Sequence, residues 1–323
     1  MSDAETLIFA YALDGRGGAS PLAWTDLPAL SADRAVWIHL NLDSALARRW
    51  LAERGDMPDL AAETLFHEET RPRCLAIDDG LLLNLRGVNL DPLSDPEDMV
   101  SIRLFSDSRR IVSVGRRRLE TVSDLRARLE AGRGPARVPD LLLDLCNGLL
   151  ERMGPVVADL DDAIDAIEDR LLDDPRSAEP TELWALRRKA IALRRFIAPQ
   201  RDAIARFALE RVSWVDETAV QRARDAADRV TRQVEDLDAA RERASVIQDE
   251  LTRRLGERTN RNVYVLSVVA GIFLPLGLLA GLLGVNLGGI PGATWHWAFA
   301  VFVAALAVVG LAEFWLFRRL GWL

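Results

Sequence analysis

The sequence predicts an α+β domain with a mixed sheet, followed by a long stalk helix and two C-terminal transmembrane helices. Three observations support this architecture. Short apolar runs bounded by Gly, Asp and Pro dominate the first third of the chain, as expected of strands. Long helical patterns follow them. Finally, residues 262–312 contain no Asp, Glu, Lys or Arg, although the whole chain has 41 basic and 49 acidic side chains.

Residues 1–118 are expected to form the α/β domain. Asp79-Gly80 stands between two apolar runs and predicts a tight hairpin turn. Helical patterns at about 43–54 and 58–68 interrupt the strand signals. The expected strands lie at residues 6–13, 34–40, 74–79, 81–88, 99–105 and 110–115.

Residues 119–215 are expected to be helical, because the strand signals stop at Leu119. Prolines separate the helical patterns, and Pro199 is expected to kink or break the last of them. The predicted helices occupy about 119–131, 139–173 and 179–209.

Residues 216–262 predict a stalk helix that continues into the membrane. This segment has no Pro and a single Gly, Gly256, and apolar residues recur along it every three or four positions. Such spacing makes one narrow stripe, which is typical of a coiled-coil seam. One helix from about 216 to 284 would be roughly 100 Å long. A seam of this kind needs a partner surface, so the pattern predicts self-association.

Two apolar segments, 263–285 and 295–317, predict transmembrane helices, because about 20 residues of helix cross a bilayer core. A buried core hairpin is the alternative. Arginines precede the first segment and follow the second in the 318–323 tail, whereas the 286–294 loop is uncharged. The positive-inside rule then places both termini in the cytoplasm and the loop outside, in a multi-pass protein of the inner (plasma) membrane.

Composition and motifs argue against several functional classes. A net charge of −8 does not favour nucleic-acid binding, and two cysteines provide neither a disulfide framework nor a common zinc site. His67-Glu68-Glu69 lacks the HExxH spacing of a zinc protease, so it is expected, like His39, to have a surface or packing role. The sequence has no P-loop, dinucleotide fingerprint or Ser/His/Asp arrangement. We therefore expect no enzymatic activity and no bound cofactor.

An acidic run, DLDDAIDAIEDRLLDD at 159–174, is the first candidate cation site. Asp161, Asp165, Glu168 and Asp169 lie three or four residues apart or side by side. They therefore share one helix face, where like charges repel. Two interpretations stay open from the residues alone. The run forms either a solvated acidic face or a surface that concentrates or senses cations.

The first membrane segment carries a second candidate site, formed by small and polar residues on one side of the helix. Such residues normally permit close helix packing. If several copies packed around an axis, the same face would line a narrow pore, with an apolar constriction at its leucine. The face consists of Asn260, Ser267, Gly271, Gly277, Gly281 and Gly284, with Leu274 on the same side.

Residues 257–292, ERTNRNVYVLSVVAGIFLPLGLLAGLLGVNLGGIPG, resemble the first membrane helix and signature loop of the CorA metal-ion transporter family. The marks are an Asn-rich entry, FLPLGLLAGLLG, and a Gly-x-Asn tripeptide followed by a short loop and a second span. The larger CorA branch has Gly-Met-Asn at this position. Gly284-Val285-Asn286 followed by LGGIPG is similar to the ZntB zinc-transporter branch of the family.

This resemblance implies a funnel-shaped homopentamer in the lipid bilayer, with the first membrane helices lining a pore and the second helices outside. Asn286 would bind the incoming divalent cation, and Asn260 would line the cytoplasmic end of the pore. Val285 stands where the larger branch has Met, so loop packing and selectivity are expected to differ. The intervening pore positions would be Ser267, Leu274, Gly277, Gly281 and Gly284.

The ZntB resemblance suggests proton-coupled zinc uptake, with Zn²⁺ as cargo rather than as a cofactor. Zinc prefers Cys, His and carboxylate ligands, and the first span has none, so we expect a hydrated or mostly hydrated ion to pass. On the outward side, His296 could offer zinc a nitrogen or accept a proton. The alternatives are a CorA-type channel for magnesium, cobalt or nickel, and a non-transporting membrane-anchored coiled-coil receptor or scaffold.

Overall fold

The computed structural model describes residues 7–29, 34–54, 57–67, 71–173, 180–284 and 295–319. Two compact units make up the chain, Met1–Gln248 and Asp249–Leu323. The first unit contains a sheet and most of the helices, and the second contains the apolar helices.

The first unit is built on a seven-stranded mixed sheet with the strand order β2-β1-β3-β7-β6-β5-β4. The pair β3 and β7 is parallel, and the other neighbouring strands are antiparallel. Every predicted strand is confirmed, whereas the three-residue β2 was not predicted because it is too short to show alternation. The strands are β1 Leu7–Leu13, β2 Ala19–Pro21, β3 Val36–Asn41, β4 Arg73–Ile77, β5 Gly80–Gly87, β6 Val100–Ser106 and β7 Arg110–Gly115.

Helices cover both faces of this sheet. Helices α1 (Ala45–Arg54) and α2 (Asp59–Leu65) pack against one face, where Leu51 and Leu65 join Ile38 and Leu40 in one buried cluster. Helices α3 (Glu120–Glu130) and α4 (Val138–Asp173) lie on the other face. Close approach is possible there because β5 ends in glycine. A Cβ atom at Gly87 would lie 2.8 Å from Leu149 of α4 and 2.9 Å from Leu119.

Proline does not interrupt the long helices. Helix α5 runs from Pro180 to Phe207 with Pro199 inside it, so of the predicted kink or break at Pro199 the break is absent. An internal proline loses one backbone hydrogen bond, but the residue after it is firmly held. Gln200 is completely buried, and its Oε1 accepts the Arg86 backbone N–H at 2.7 Å. Tertiary packing therefore outweighs the local cost. Helix α4 likewise continues through Pro155.

Helix α6 extends over 68 residues, Glu217–Gly284, which confirms the long continuous helix. The seam predicted for self-association is buried within the chain up to residue 244. Arg222 of α6 binds Asp140 at 2.9 Å and Asp144 at 2.8 Å, both on α4, and Gln233 donates to the Leu150 carbonyl at 3.1 Å. The seam by itself therefore gives no reason to expect self-association. Its buried members include Ala223, Ala227, Val230, Val234, Leu237, Ala240 and Ala244.

The acidic run of α4 faces an arginine of α6. Arg243 forms ion pairs with Asp161 at 2.7 Å, with Asp165, and with Glu168 at 3.5 Å. Three of the four predicted cation-binding carboxylates therefore already contact a positive charge. Across the part of the chain that the structure describes, no group of three or more His, Cys, Asp or Glu side chains could hold a metal ion. The arrangement favours a structural role for Asp161, Asp165 and Glu168, whereas cation binding by Asp169 stays a prediction.

Replacing Arg243 with Ala should leave these carboxylates repelling one another. Because the pairs are about half exposed, we expect a stability loss of about 1 kcal/mol or less. Calcium or magnesium should stabilise the variant more than the wild type, since the freed carboxylates can then attract a cation. Thermal unfolding of the detergent-solubilised protein, with and without each ion, measures both effects.

Arg241→Ala is the matched control, because Arg241 pairs with Asp238 of its own helix at 3.9 Å. An ion-dependent stabilisation of the wild type that equals that of Arg243→Ala would contradict the structural interpretation.

His39 is a second testable feature of the first unit. It is 6% exposed, its Nδ1 lies 2.8 Å from Ser113 Oγ, and its ring stacks on Phe9 at 5.0 Å. This confirms the expected packing role. Burial lowers the pKa of His39 from 6.5 to about 4. The unfolded chain therefore takes up a proton more readily than the folded one as pH falls from 6.5 towards 4.

The resulting stability is fully present above pH 6.5 and is lost as pH falls towards 4, by up to about 3 kcal/mol. His39→Gln should therefore reduce the difference between unfolding temperatures measured at pH 7 and pH 5. The exposed His67 supplies the control, His67→Gln, which should keep the wild-type difference. An unchanged pH dependence in His39→Gln would refute this assignment.

Candidate functional site

The second unit contains two helices that are long and apolar enough to cross a membrane. The most apolar windows of α6 and of α7 (Ala298–Arg319) have mean hydropathies of 2.4 and 2.3. Only 6% of the first window and none of the second is buried. Such exposure does not fit the alternative of a buried core hairpin. Helix α7 begins three residues after the start of the predicted 295–317 span and ends two residues after the end of that span.

Helix α7 packs along one side of α6 in antiparallel orientation. A Cβ atom at Gly271 would lie 2.7 Å from Phe317 Cζ, near the end of α7, and one at Gly310 would lie 3.6 Å from Leu276 Cδ1. Gly271 therefore has the close-packing role that small residues commonly have in membrane helices. No local pattern identifies Phe317 as the partner of Gly271, because the contact joins residues far apart in the chain.

Five of the other predicted pore residues lie on a side of α6 that α7 leaves open. Asn260, Ser267, Leu274 and Gly281 recur every seven residues, which is about two helical turns. All four are exposed, Leu274 by 70%. Among the described residues, no atom lies within 4 Å of a Cβ placed at Gly277 or Gly281. These positions therefore form one continuous uncharged face, which we call the open face of α6. Its role as a pore lining stays a prediction.

The open face offers neutral oxygen atoms to a passing ion. The Ser267 hydroxyl donates to the Val263 carbonyl at 2.8 Å. This bond uses the hydroxyl proton and leaves oxygen lone pairs available to water or a cation. Asn260 adds an amide, and Leu274, Gly277 and Gly281 add no polar side-chain atom. Neutral oxygens suit a cation that keeps much of its water shell.

Arginine–glutamate pairs precede this face on α6. Glu250 accepts hydrogen bonds from Arg253 at 2.8 Å and Arg254 at 2.6 Å. Hydrogen bonds from these two arginines lower the pKa of Glu250 to about 2, so the carboxylate stays ionised over the physiological range. The basic cluster that sets the predicted orientation is therefore partly neutralised by its own helix.

The predicted ion-binding loop is only partly described. Gly284 is the last residue of α6, whereas Val285 and Asn286 lie outside the described residues. On the other side of the loop, His296 is exposed and precedes α7, with its ring 5.9 Å from that of Trp297. The carbonyls of Trp295 and Trp297 accept the Ala298 and Val301 N–H groups at 3.0 and 3.1 Å. His296 therefore stands just before the first turn of the helix.

Residues 32–319 match the family of CorA-like Mg2+ transporter proteins. The divalent cation transporter CmaX of Pseudomonas aeruginosa is 39% identical over 327 residues, which cover 99% of this chain and 98% of the relative. The zinc transport protein ZntB of Cronobacter sakazakii is 37% identical over 319 residues, which cover 98% and 96%.

Solved structures agree with this placement. Full-length CmaX superimposes with a TM-score of 0.86 at 37% identity and 98% coverage of both chains. The CorA magnesium transporter of Methanocaldococcus jannaschii, at 16% identity, has a TM-score of 0.76 over 97% of this chain and 98% of that one, which shows the shared fold. This chain belongs to the CorA-like Mg2+ transporter family, and it is a divalent-cation transporter of the CorA/ZntB type and not an enzyme.

Proposed function

We propose that the chain carries zinc across the inner (plasma) membrane through a pore that five copies form around a common axis. The observation that carries this proposal is the open face of α6. In a helix hairpin of this kind, the side opposite the second helix is available to other copies. The identity to ZntB, 37% over 98% of the chain, supports zinc as the cargo.

In the proposed assembly, the open faces of five α6 helices surround the ion path. Gly277 and Gly281 let neighbouring helices approach closely, and Leu274 provides an apolar constriction. Ser267 and Asn260 supply oxygen atoms on the cytoplasmic side of that constriction. At the outer mouth, Gly284-Val285-Asn286 of each copy contributes to a ring whose Asn286 amides receive the hydrated ion.

The proposed topology places both termini in the cytoplasm. The arginines before the first span, with Arg318 and Arg319 at the end of α7, support this orientation by the positive-inside rule. Uptake would be coupled to protons, and His296 is the group we propose to bind either zinc or a proton near the mouth. Zinc is the transported substrate, so no resident cofactor is part of the proposal.

A broader divalent cargo is the second candidate, and two observations favour it. The description of the matching family names Mg²⁺ as the transported ion, and that of CmaX names divalent cations in general. The open face also lacks the thiolate and imidazole ligands that select zinc. A non-transporting receptor or scaffold is less favoured, because the relatives that match over nearly the full length are named as transporters.

The purified protein in liposomes should take up zinc faster when a proton gradient is imposed, and excess magnesium should inhibit only weakly. Asn286→Ala should reduce the zinc flux at least about tenfold, because the incoming ion loses its amide ligands. Native mass measurement should give five chains for both proteins. Asn262→Ala, which removes an amide from another position on α6, is the control and should retain flux.

A zinc flux that is independent of the pH gradient and abolished by magnesium would exclude proton-coupled zinc uptake and favour the broader divalent cargo. Normal flux in Asn286→Ala would remove that residue from the pathway. An assembly of another size would exclude the pentameric pore.

Two glycines of α6 test which side of the helix faces the ion. Gly281→Leu should leave the hairpin intact but strongly reduce flux, because the new side chain enters the proposed pore. Gly271→Leu should instead lower the unfolding temperature, since its side chain collides with Phe317 and overpacking typically costs about 1–3 kcal/mol. Unchanged flux in a correctly assembled Gly281→Leu protein would contradict the assignment of the open face.

A further inference from the structure

A cleft of about 930 Å³ lies at one edge of the sheet in the first unit. Its walls come from the segment after β3, the segment after β7, the start of β6, the end of β5 and helix α1. We call it the arginine cleft because six of its lining residues are arginines. These are Arg48, Arg49, Arg86, Arg103, Arg116 and Arg117.

The topology of the sheet explains why a cleft forms here. Strands β3 and β7 are parallel neighbours, so their carboxyl ends lie at the same edge. After β3 the chain enters α1, which packs on the face that contains Ile38. After β7 it enters α3, whose Arg126 binds Tyr11 on the opposite face at 3.0 Å. The connections after β3 and β7 therefore leave the sheet towards opposite faces. Ligands of α/β sheets commonly bind at the carboxyl ends of two such neighbouring strands.

Arg103 is the central residue of this cleft. Its side chain is 1% exposed, and its Nη2 donates to the His67 carbonyl at 2.9 Å. Its Nε and Nη1 have no hydrogen-bond partner in the described part of the chain. Burial, followed by the positive charges of Arg116 and Arg86, lowers the pKa of Arg103. Two buried guanidinium nitrogens without hydrogen-bond partners are costly, and both are expected to have partners in the functional state.

The neighbours of Arg103 in the sheet show the same deficit. Asn84 on β5 stands opposite Arg103 on β6, and Arg73 on β4 stands opposite Asn84. Both amide atoms of Asn84 and the Nε of Arg73 are buried without partners among the described residues. Asn84 itself is 1% exposed. Three adjacent strands thus present a continuous row of unsatisfied polar groups, all of them on one face.

The positive charge of the cleft favours a negatively charged ligand. Six arginines and two aspartates line it, which leaves a net charge of +4 in a chain whose total is −8. The aspartates are already used, since Asp43 binds Arg116 at 2.7 Å and Asp98 binds Arg117 at 2.6 Å. The N-terminal turn of α1, capped by Ser44, also borders the cleft and adds the positive end of a helix dipole.

We propose that the arginine cleft binds a phosphate-bearing small molecule, with a phosphate group seated against Arg103. Guanidinium groups bind phosphate oxygens through paired, charge-assisted hydrogen bonds. The cleft is larger than a phosphate ion, and Leu42, Phe66 and Met99 give it an apolar portion for an organic group. This site differs from the ion pathway, because its positive charge repels metal cations. The proposal therefore stands or fails independently of the transported metal.

Calorimetric titration of the full-length protein in detergent, in low salt with a chelator, tests the proposal. Inorganic phosphate and ATP serve as separate probes, and ATP should bind more tightly because it also fills the apolar portion. Arg103→Met should weaken ATP binding at least about tenfold, as expected for a lost charge-assisted pair. Arg118→Met is the matched control. It removes the same charge beside Arg117, but Arg118 is exposed, pairs with Glu120 and does not line the cleft.

Arg103→Met should be at least as stable as the wild type in phosphate-free buffer, because it removes two buried nitrogens without partners at the loss of the single bond to the His67 carbonyl. Arg49→Gln, on the exposed surface of α1, gives the same binding test if Arg103→Met does not fold. Tighter binding of phosphate than of ATP would assign the cleft to the free ion and overturn the small-molecule proposal. Absence of binding by both probes, or equal ATP affinity in the wild type, Arg103→Met and Arg49→Gln, would also overturn it.

Discussion

The packing of α4 is the constraint on which the first unit depends. One side of this helix lies on the sheet, where Gly87 leaves room for Leu149. Another side meets α6, where arginines at residues 222 and 243 bind its carboxylates. Nine of the first thirteen residues of α4, 138–150, are buried, which is more than a single amphipathic stripe supplies. The helix therefore acts as the common core element between the sheet and the stalk, and its acidic residues mark where α6 is attached.

The sequence predicts the local features of this architecture well, but not the contacts that α4 makes. Strands follow from alternation and turn residues, and the two membrane segments follow from the absence of charge over 262–312. The partner of the α6 seam does not follow from any local pattern. Arg243 and Asp161 are 82 residues apart, and a stripe of alanines fits a helix of the same chain as well as one of another copy. Pro199 shows the same limit, because burial of Gln200 overrides the local preference for a break.

The candidate sites likewise include some that a local sequence pattern predicts and others that only the three-dimensional structure shows. The seven-residue spacing of Asn260, Ser267 and Leu274 is visible in the sequence, and the structure places these residues together on the side of α6 that α7 leaves open. The pairing of the acidic run with Arg243 and the arginine cleft both depend on three-dimensional neighbours. One signal was nevertheless present for the cleft. Arg103 interrupts the apolar run MVSIRLF, and a charge within an apolar strand indicates a specific partner or ligand.

The uncharged open face also limits how a transporter of this type can select its ion. A soft ligand set would distinguish zinc from magnesium by direct coordination, but Ser267 and Asn260 offer only neutral oxygen atoms. Removing the water shell of a divalent ion against such ligands would cost more than they return. Under the proposed function, discrimination is then expected where the ion first exchanges or keeps its water, at the proposed mouth of Gly284-Val285-Asn286. At this position Val285 stands where the larger CorA branch has Met, so the packing of the loop is expected to differ. Selectivity is therefore expected to reside in the proposed ring of Asn286 amides more than in the proposed pore below it.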